Sequence, residues 1–249
     1  MIDEKKVNAV ENTGDNATGD ENETPDDEKK RKSVKTFDLK LNTMKSSLHI
    51  SVNEPEFRQF MEFYGYDSAR IQVGLGKIDA TWLASKKQAE EKARQHQATL
   101  EADKKREKAD ATYMRCIASA RLAFKDDSKA FELLKLNGDR QRTFMGWAGQ
   151  ATRFYENALD SQEYLAELAK YNVPRELLET GNQEVLEAMA ADESKISAKG
   201  DAEHATQLKN EAYDDLMAWM KDFYNIVEMA YKKNPQLKEK VRIVVPYNS

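Results

Sequence analysis

The strongest constraint on this chain is an internal repeat at an offset of 107 residues, read without a gap. Asn53 aligns with Asp160, Gly65 with Asn172, Asp67 with Pro174 and Gly74 with Gly181. Further identities fall at Ala84/Ala191, Lys92/Lys199, Ala98-Thr99/Ala205-Thr206, Ala111/Ala218 and Ala123/Ala230. What repeats is mostly helix punctuation and apolar phase. Asn53 and Asp160 are good N-caps, because short polar side chains accept the free N–H groups of a first helical turn. Gly65 and Asn172 tolerate the left-handed conformation that closes a helix. Asp67 and Pro174 each suit the start of the next one. A chain duplicated in this way is expected to fold as two copies of one helical unit, here over 53–137 and 160–249.

Within each unit, apolar residues recur at helical spacing. The first has Phe57, Phe60, Met61 and Tyr64, then Ile71, Leu75, Ile78 and Trp82; the second has Tyr164, Leu168 and Tyr171, then Leu178, Val185 and Met189. A polar middle follows, at 86–108 and 192–214. The stripe then returns with Tyr113, Ile117, Ala120 and Phe124, and with Leu216, Trp219, Met220, Phe223, Val227 and Ala230. Such a stripe is the core-facing side of an amphipathic helix. The polar middle leaves two solutions open. It is either the far half of one helix of about 55 residues, ~80 Å long at 1.5 Å per residue, or the tip of a helical hairpin. Gly200-Asp201 favours a hairpin in the second unit, since Gly ends helices and Asp starts them; Ala93-Arg94 in the first unit offers no breaker. Hairpins are the expectation. A linking helix is predicted over 138–159, opening at Gly138-Asp139, with Phe144, Ala148, Ala151, Tyr155 and Leu159 on one face and Trp147 and Phe154 broadening it. Gly146 and Gly149 flank Trp147 at a cost of about 1 kcal/mol of helix stability each, which suits close helix packing or the approach of a ligand.

Residues 1–33 read as a disordered acidic tail. They hold ten Asp/Glu, six Lys/Arg and no aromatic residue, too little apolar surface to offset chain entropy. Lys29-Lys30-Arg31-Lys32 directly follows Asp26-Asp27-Glu28, and reads as a solvated charge run before a targeting or phosphate-binding patch. Over 34–52, Phe37, Leu39 and Leu41, then Leu48, Ile50 and Val52, alternate with polar residues. Period-2 alternation on both sides of 42–47 predicts a β-hairpin, with the β-prone 241–245 as a candidate third strand. The expected fold is mainly α: an antiparallel helical bundle from an internally duplicated unit, with a disordered N-terminal tail and a small hairpin or sheet.

The inventory of reactive groups is thin. The net charge is −5, which does not mark the whole chain as a polyanion binder. The stretch 86–108 carries eight Lys/Arg against five Asp/Glu, and Arg94, Lys104, Lys105, Arg106 and Lys108 could touch phosphates. No aromatic residue interleaves there to stack on bases, so a solvated face laced with pairs such as Glu101/Lys105 is expected. The single cysteine, Cys116, lies on the apolar phase beside Tyr113 and Ala120 and reads as a buried structural thiol. A carboxylate-bridged metal site in a bundle needs Glu-x-x-His on two helices. Ala93 and Asp201 stand three residues before His96 and His204, so both histidines, like His49, read as solvated. Gly74-Leu75-Gly76 sits inside a helical pattern and is no phosphate loop. Trp219, Phe223 and Tyr224 read as core before cofactor box. No catalytic, cofactor-binding or metal-ligating residue is therefore assigned, and no cofactor or small-molecule ligand is inferred. No run of about 18 apolar residues predicts a membrane span. Met1 to Gly14 lacks the apolar centre of a secretory signal, which makes a cytoplasmic location the expectation.

Trp219-Met220-Lys221-Asp222-Phe223, then Ala230, then Asn234-Pro235-Gln236-Leu237 with a β-prone end, resembles the ending of a group of uncharacterised bacterial helical proteins. Tyr113 with Ala120-Arg121-Leu122-Ala123-Phe124, Leu136 to Gly138, and Trp147 with Phe154-Tyr155 fit the same group, so the resemblance covers about 55–245. Leu237-Lys238-Glu239-Lys240-Val241 departs from the Leu-Glu-x-Leu-Gly ending of that group. The resemblance implies a helical bundle and carries no activity or site residue. The functional expectation is a non-enzymatic structural or protein-interaction module, a scaffold, adaptor or self-assembling unit whose partner is another protein or itself. The alternatives are a membrane-active protein of the pore-forming type and a cryptic bundle enzyme or metal carrier.

Overall fold

The structure, a computed structural model, describes residues 25–138, 140–241 and 243. Among these residues it is built of helices alone: α1 (Pro25–Asn53), α2 (Pro55–Phe63), α3 (Ser68–Ala123), α4 (Ser128–Leu133), α5 (Phe144–Asp160), α6 (Gln162–Lys170), α7 (Arg175–Lys233) and α8 (Gln236–Val241). The mainly α fold is as expected. Residues 1–24 of the expected tail lie outside the described residues.

The element boundaries share the 107-residue offset. Shifting α2 by 107 residues gives the bounds of α6, and the same shift carries the start of α3 to the start of α7 and the end of α1 to the end of α5. The offset thus relates α1–α2–α3 to α5–α6–α7, with α4 between them. The joints are equivalent too. Gly65 (φ 79°) and Asn172 (φ 60°) both adopt the left-handed conformation after the short helix. There the free carbonyls of the last turn accept bonds from the following N–H groups, Gly65 N–H to Glu62 O at 2.9 Å and Asn172 N–H to Ala169 O at 3.2 Å, the usual left-handed helix stop.

The caps fall one residue from their expected places in the first helix of each joint. Asn53 and Asp160 close α1 and α5, and Glu54 and Ser161 are the N-caps of α2 and α6; Ser161 accepts from Tyr164 N–H, whereas Glu54 makes no side-chain cap bond. Asp67 caps α3 through the Arg70 N–H, as expected, and Pro174 sits at the N-cap of α7. The linking helix starts at Phe144, capped by Thr143, which accepts from Gly146 N–H, so it is shorter than 138–159 at its start and runs to Asp160.

Hairpins are not formed in either unit. α3 and α7 are continuous helices of 56 and 59 residues, about 84 and 89 Å at 1.5 Å per residue. Gly200 stays helical inside α7, because one glycine costs about 1 kcal/mol, less than a helix of this length gains along its partner. The two long helices run antiparallel. Thr81 donates to Ala212 O at 3.1 Å, Gln88 to Thr206 at 3.0 Å, and Lys105 to Glu187 at 3.0 Å. This register sets the region of Ala93 against that of Gly200, so the polar middles lie side by side.

The β-hairpin expected over 34–52 is likewise helix, the C-terminal part of α1, and residues 25–33 of the expected tail begin it. Leu41, Met44 and Leu48 are buried, with Ser47 and Ser51 beside them, whereas Leu39 is 67% exposed. Those buried positions follow a helical repeat, and α1 packs this face on α3. The candidate third strand is helical at Val241, and 244–245 lie outside the described residues.

Two separate cores result, one at each end of the helix pair. One joins the C-terminal half of α3 (Tyr113, Cys116, Ala120) with α4, α5, α6 and the start of α7. The other joins α1, α2 and the start of α3 with the C-terminal half of α7 (Met220, Phe223, Val227), Leu237 and Ile243. Neither unit owns a core. Each short helix also touches the other unit's long helix, α2 on α7 and α6 on α3.

Candidate functional site

The long middle of the helix pair holds few buried side chains: Glu91, Ala102, Ala198, Ala202 and Ala205. Charged pairs cross it. Lys77 bonds Asp215, Arg94 approaches Asp201 at 4.0 Å, Lys108 bonds Glu184 at 3.2 Å, and Lys195 approaches Asp103 at 3.9 Å. Of the five basic residues that could touch phosphates, Arg94, Lys105 and Lys108 are thus turned to carboxylates of the same chain. Arg106 lies over the rings of Phe144 and Trp147, at 5.6 and 5.9 Å from their centres. Lys105 pairs across the seam with Glu187 in place of Glu101.

One cleft of about 550 Å³ opens beside this seam, between α3 and the segment before α5. Arg106, Arg140 and Arg142 line it with Asp103, Glu107, Asp110 and Trp147. Asp110 is committed internally: its carboxylate accepts from Arg140 at 2.7 Å and from the Trp147 indole N–H at 2.8 Å. A neighbouring open groove of about 710 Å³ contains Gly138, Met145, Gly149 and Arg153. The two glycines beside Trp147 differ. A methyl group at Gly146 would press on Thr143 and Gln141, whereas one at Gly149 would meet nothing. Gly146 is therefore small for its own N-terminal loop, and Gly149 borders the groove.

The two ends are not chemical copies. The 107-residue shift carries Phe37 onto Phe144 and Arg106 onto Tyr213. Phe37 meets the Tyr213 ring at 5.4 Å at one end, where Phe144 meets the Arg106 guanidinium at the other. Exposed apolar side chains stand at both ends, Phe63 and Leu39 at the first, Met145 and Leu122 at the second.

Cys116 is fully buried, and burial pushes its thiol up to about 11. At neutral pH it is a protonated core group with no thiolate to offer. Burial raises the neighbouring Tyr155 hydroxyl as well, and Tyr113 to about 12. Glu184 turns one oxygen to Lys108, while its Oε2 is buried without a hydrogen-bond partner. His49, His96 and His204 are exposed. Among the described residues, no three His, Cys, Asp or Glu side chains converge as metal ligands, and no helix is long and apolar enough to cross a membrane. Trp219 is partly buried, and Phe223 and Tyr224 are buried. Tyr224 belongs to the core with Trp219 and Phe223, and Trp219 covers Gly74, whereas Gly76 faces open space. The sequence named Arg106 and the glycines beside Trp147 separately and did not join them, because the cleft brings together two segments, 103–110 and 140–147, about thirty residues apart in the chain.

The residues behind the resemblance are mostly packing residues: Tyr113, Ala120, Phe124, Leu136, Trp147, Phe154 and Tyr155 are buried, whereas Leu122 is exposed. No family model, curated protein or solved structure matches the chain.

Proposed function

We propose that the chain is a non-enzymatic interaction module that acts as a spacer, holding two contact surfaces a fixed distance apart. The observation that carries this reading is the pair of antiparallel helices of 56 and 59 residues with a core at each end and a polar seam between. A compact body would bury more of its chain around one core. Instead the middle buries mainly alanines, and large apolar side chains are exposed both at the ends, with Phe63 80% and Met145 66% exposed, and in the middle, at Leu100 and Ile196. Scattered apolar exposure is ordinary on a protein surface, so the ends earn a role through their separation. The partner is a protein bound at one or both ends, or further copies of the chain.

The test is retrieval from the source lysate with immobilised full-length protein and two end variants. Leu39→Glu with Phe63→Glu alters one end; Leu122→Glu with Met145→Glu alters the other. A stoichiometric partner lost with one variant and kept with the other supports the reading. A catalytic turnover that survives both end variants and disappears with Cys116→Ser or Tyr155→Phe would overturn it.

A further inference from the structure

The seam carries most of its charges in one sense. In the Lys77–Asp215, Arg94–Asp201 and Lys108–Glu184 pairs, the cation belongs to the first unit and the carboxylate to the second. The 107-residue offset maps Lys77 onto Glu184, Arg94 onto Asp201 and Lys108 onto Asp215. The pseudo-two-fold of the helix pair therefore returns this set to itself with every sign reversed. Two first units laid together in the same register would set Lys77 against Lys108 and Arg94 against Arg94. Two second units would set Glu184 against Asp215 and Asp201 against Asp201. Lys105–Glu187 adds to the same sense, and Lys195–Asp103, at 3.9 Å, runs against it.

Composition agrees: 53–137 holds sixteen Lys/Arg against fourteen Asp/Glu, and 160–249 holds eleven against seventeen. Shape discriminates little here, because the buried positions of the middle are mostly alanine and alanine accepts either partner. We infer that charge selects the pairing of the two units, so that a second copy of this chain can share the seam only by reciprocal exchange, first unit on second unit in both directions. The exposed pairs contribute little alone, while the Lys108–Glu184 pair has its carboxylate buried. Selection comes from the difference between attraction in the correct pairing and repulsion in the wrong one, summed over the set. The inference does not rest on the spacer reading, since it concerns the seam and not the ends.

The experiment uses three full-length variants. An acidic seam carries Lys77→Glu, Arg94→Glu and Lys108→Glu. A basic seam carries Glu184→Lys, Asp201→Lys and Asp215→Lys. The third carries all six changes. At low salt, each triple variant is expected to melt about 5 °C or more below the wild type, with the gap narrowing as salt screens the charges. The six-fold variant regains the wild-type melting temperature. The two triple variants, unfolded and refolded together, form a 1:1 heterodimer by native mass spectrometry and recover stability. A six-fold variant as unstable as the triples would trace the loss to local packing and overturn the inference. Triple variants that melt with the wild type, or a mixture holding no heterodimer, would overturn it equally. Repeating the series without the 108 and 184 changes leaves the buried Glu184 intact, and a smaller shift with the same rescue is expected.

Discussion

At the residue scale, glycine and buried hydroxyl or thiol groups carry the sharpest expectations. Gly181 lies under the Tyr155 ring, and a methyl group there would strike the phenol oxygen well inside van der Waals contact. Gly181→Ala should cost about 1–3 kcal/mol through overpacking, despite the better helix propensity of alanine. Gly200 meets nothing, so Gly200→Ala should stabilise by about 0.5–1 kcal/mol. Urea unfolding of both variants measures the contrast; a Gly200→Ala that destabilises would mean that α7 is interrupted there. The alkaline limb of stability is a second test. Burial raises Cys116 from 9.0 to about 11 and Tyr113 from 10.0 to about 12. The unfolded chain therefore releases these protons first as pH rises. Their stabilisation is complete below pH 9, and is lost through the 9–11 window for Cys116 and the 10–12 window for Tyr113. Each group accounts for a loss on the order of 2–3 kcal/mol. Cys116→Ala should flatten the 9–11 part of the curve in pH-dependent unfolding. The burial of Cys116 was legible from its phase; its contact with Tyr155, from a helix far along the chain, was not.

At the element scale, the joints between short and long helices were readable, and the choice between strand and helix before them was not. Gly65, Asn172 and Asp67 act locally, through φ and a cap bond to the next turn, so sequence alone reveals them. Asn172 pays for a left-handed φ of 60° that glycine adopts freely. Asn172→Gly should therefore raise stability by up to about 1 kcal/mol, and Gly65→Ala should lower it by about 1–2 kcal/mol, both read from thermal melts. Asp67→Ala, which removes the bond to Arg70 N–H, should cost about 1 kcal/mol. In α1 the alternation of Phe37, Leu39 and Leu41 coexists with a helical set, Leu41, Met44 and Leu48. Either period fits the residues, and the surface of α3 selects the helical one by burying that set and leaving Leu39 in solvent.

For the whole molecule, length is the measurable property. Helices of about 84–89 Å require a radius of gyration near 24 Å or more, that of a thin rod of this length, whereas a compact chain of 249 residues would have about 18 Å. Small-angle scattering distinguishes the two; a value near 18 Å would reject the extended helix pair. Stability should also be uneven along the rod. Amide exchange should be slowest in the two end cores and faster over 84–105 and 191–212, where few apolar side chains are buried and local opening costs less.

Helix content, the joints at the 107-residue offset and the polar middle are properties of the sequence by itself, because caps, φ preferences and apolar periodicity act within a few residues. The candidate cleft, the straight path of α7 through Gly200, the helical α1 and the division into two cores shared between units depend on tertiary structure. Each is decided by a partner surface more than fifteen residues away in the chain, where burial and charge pairing outweigh local preference.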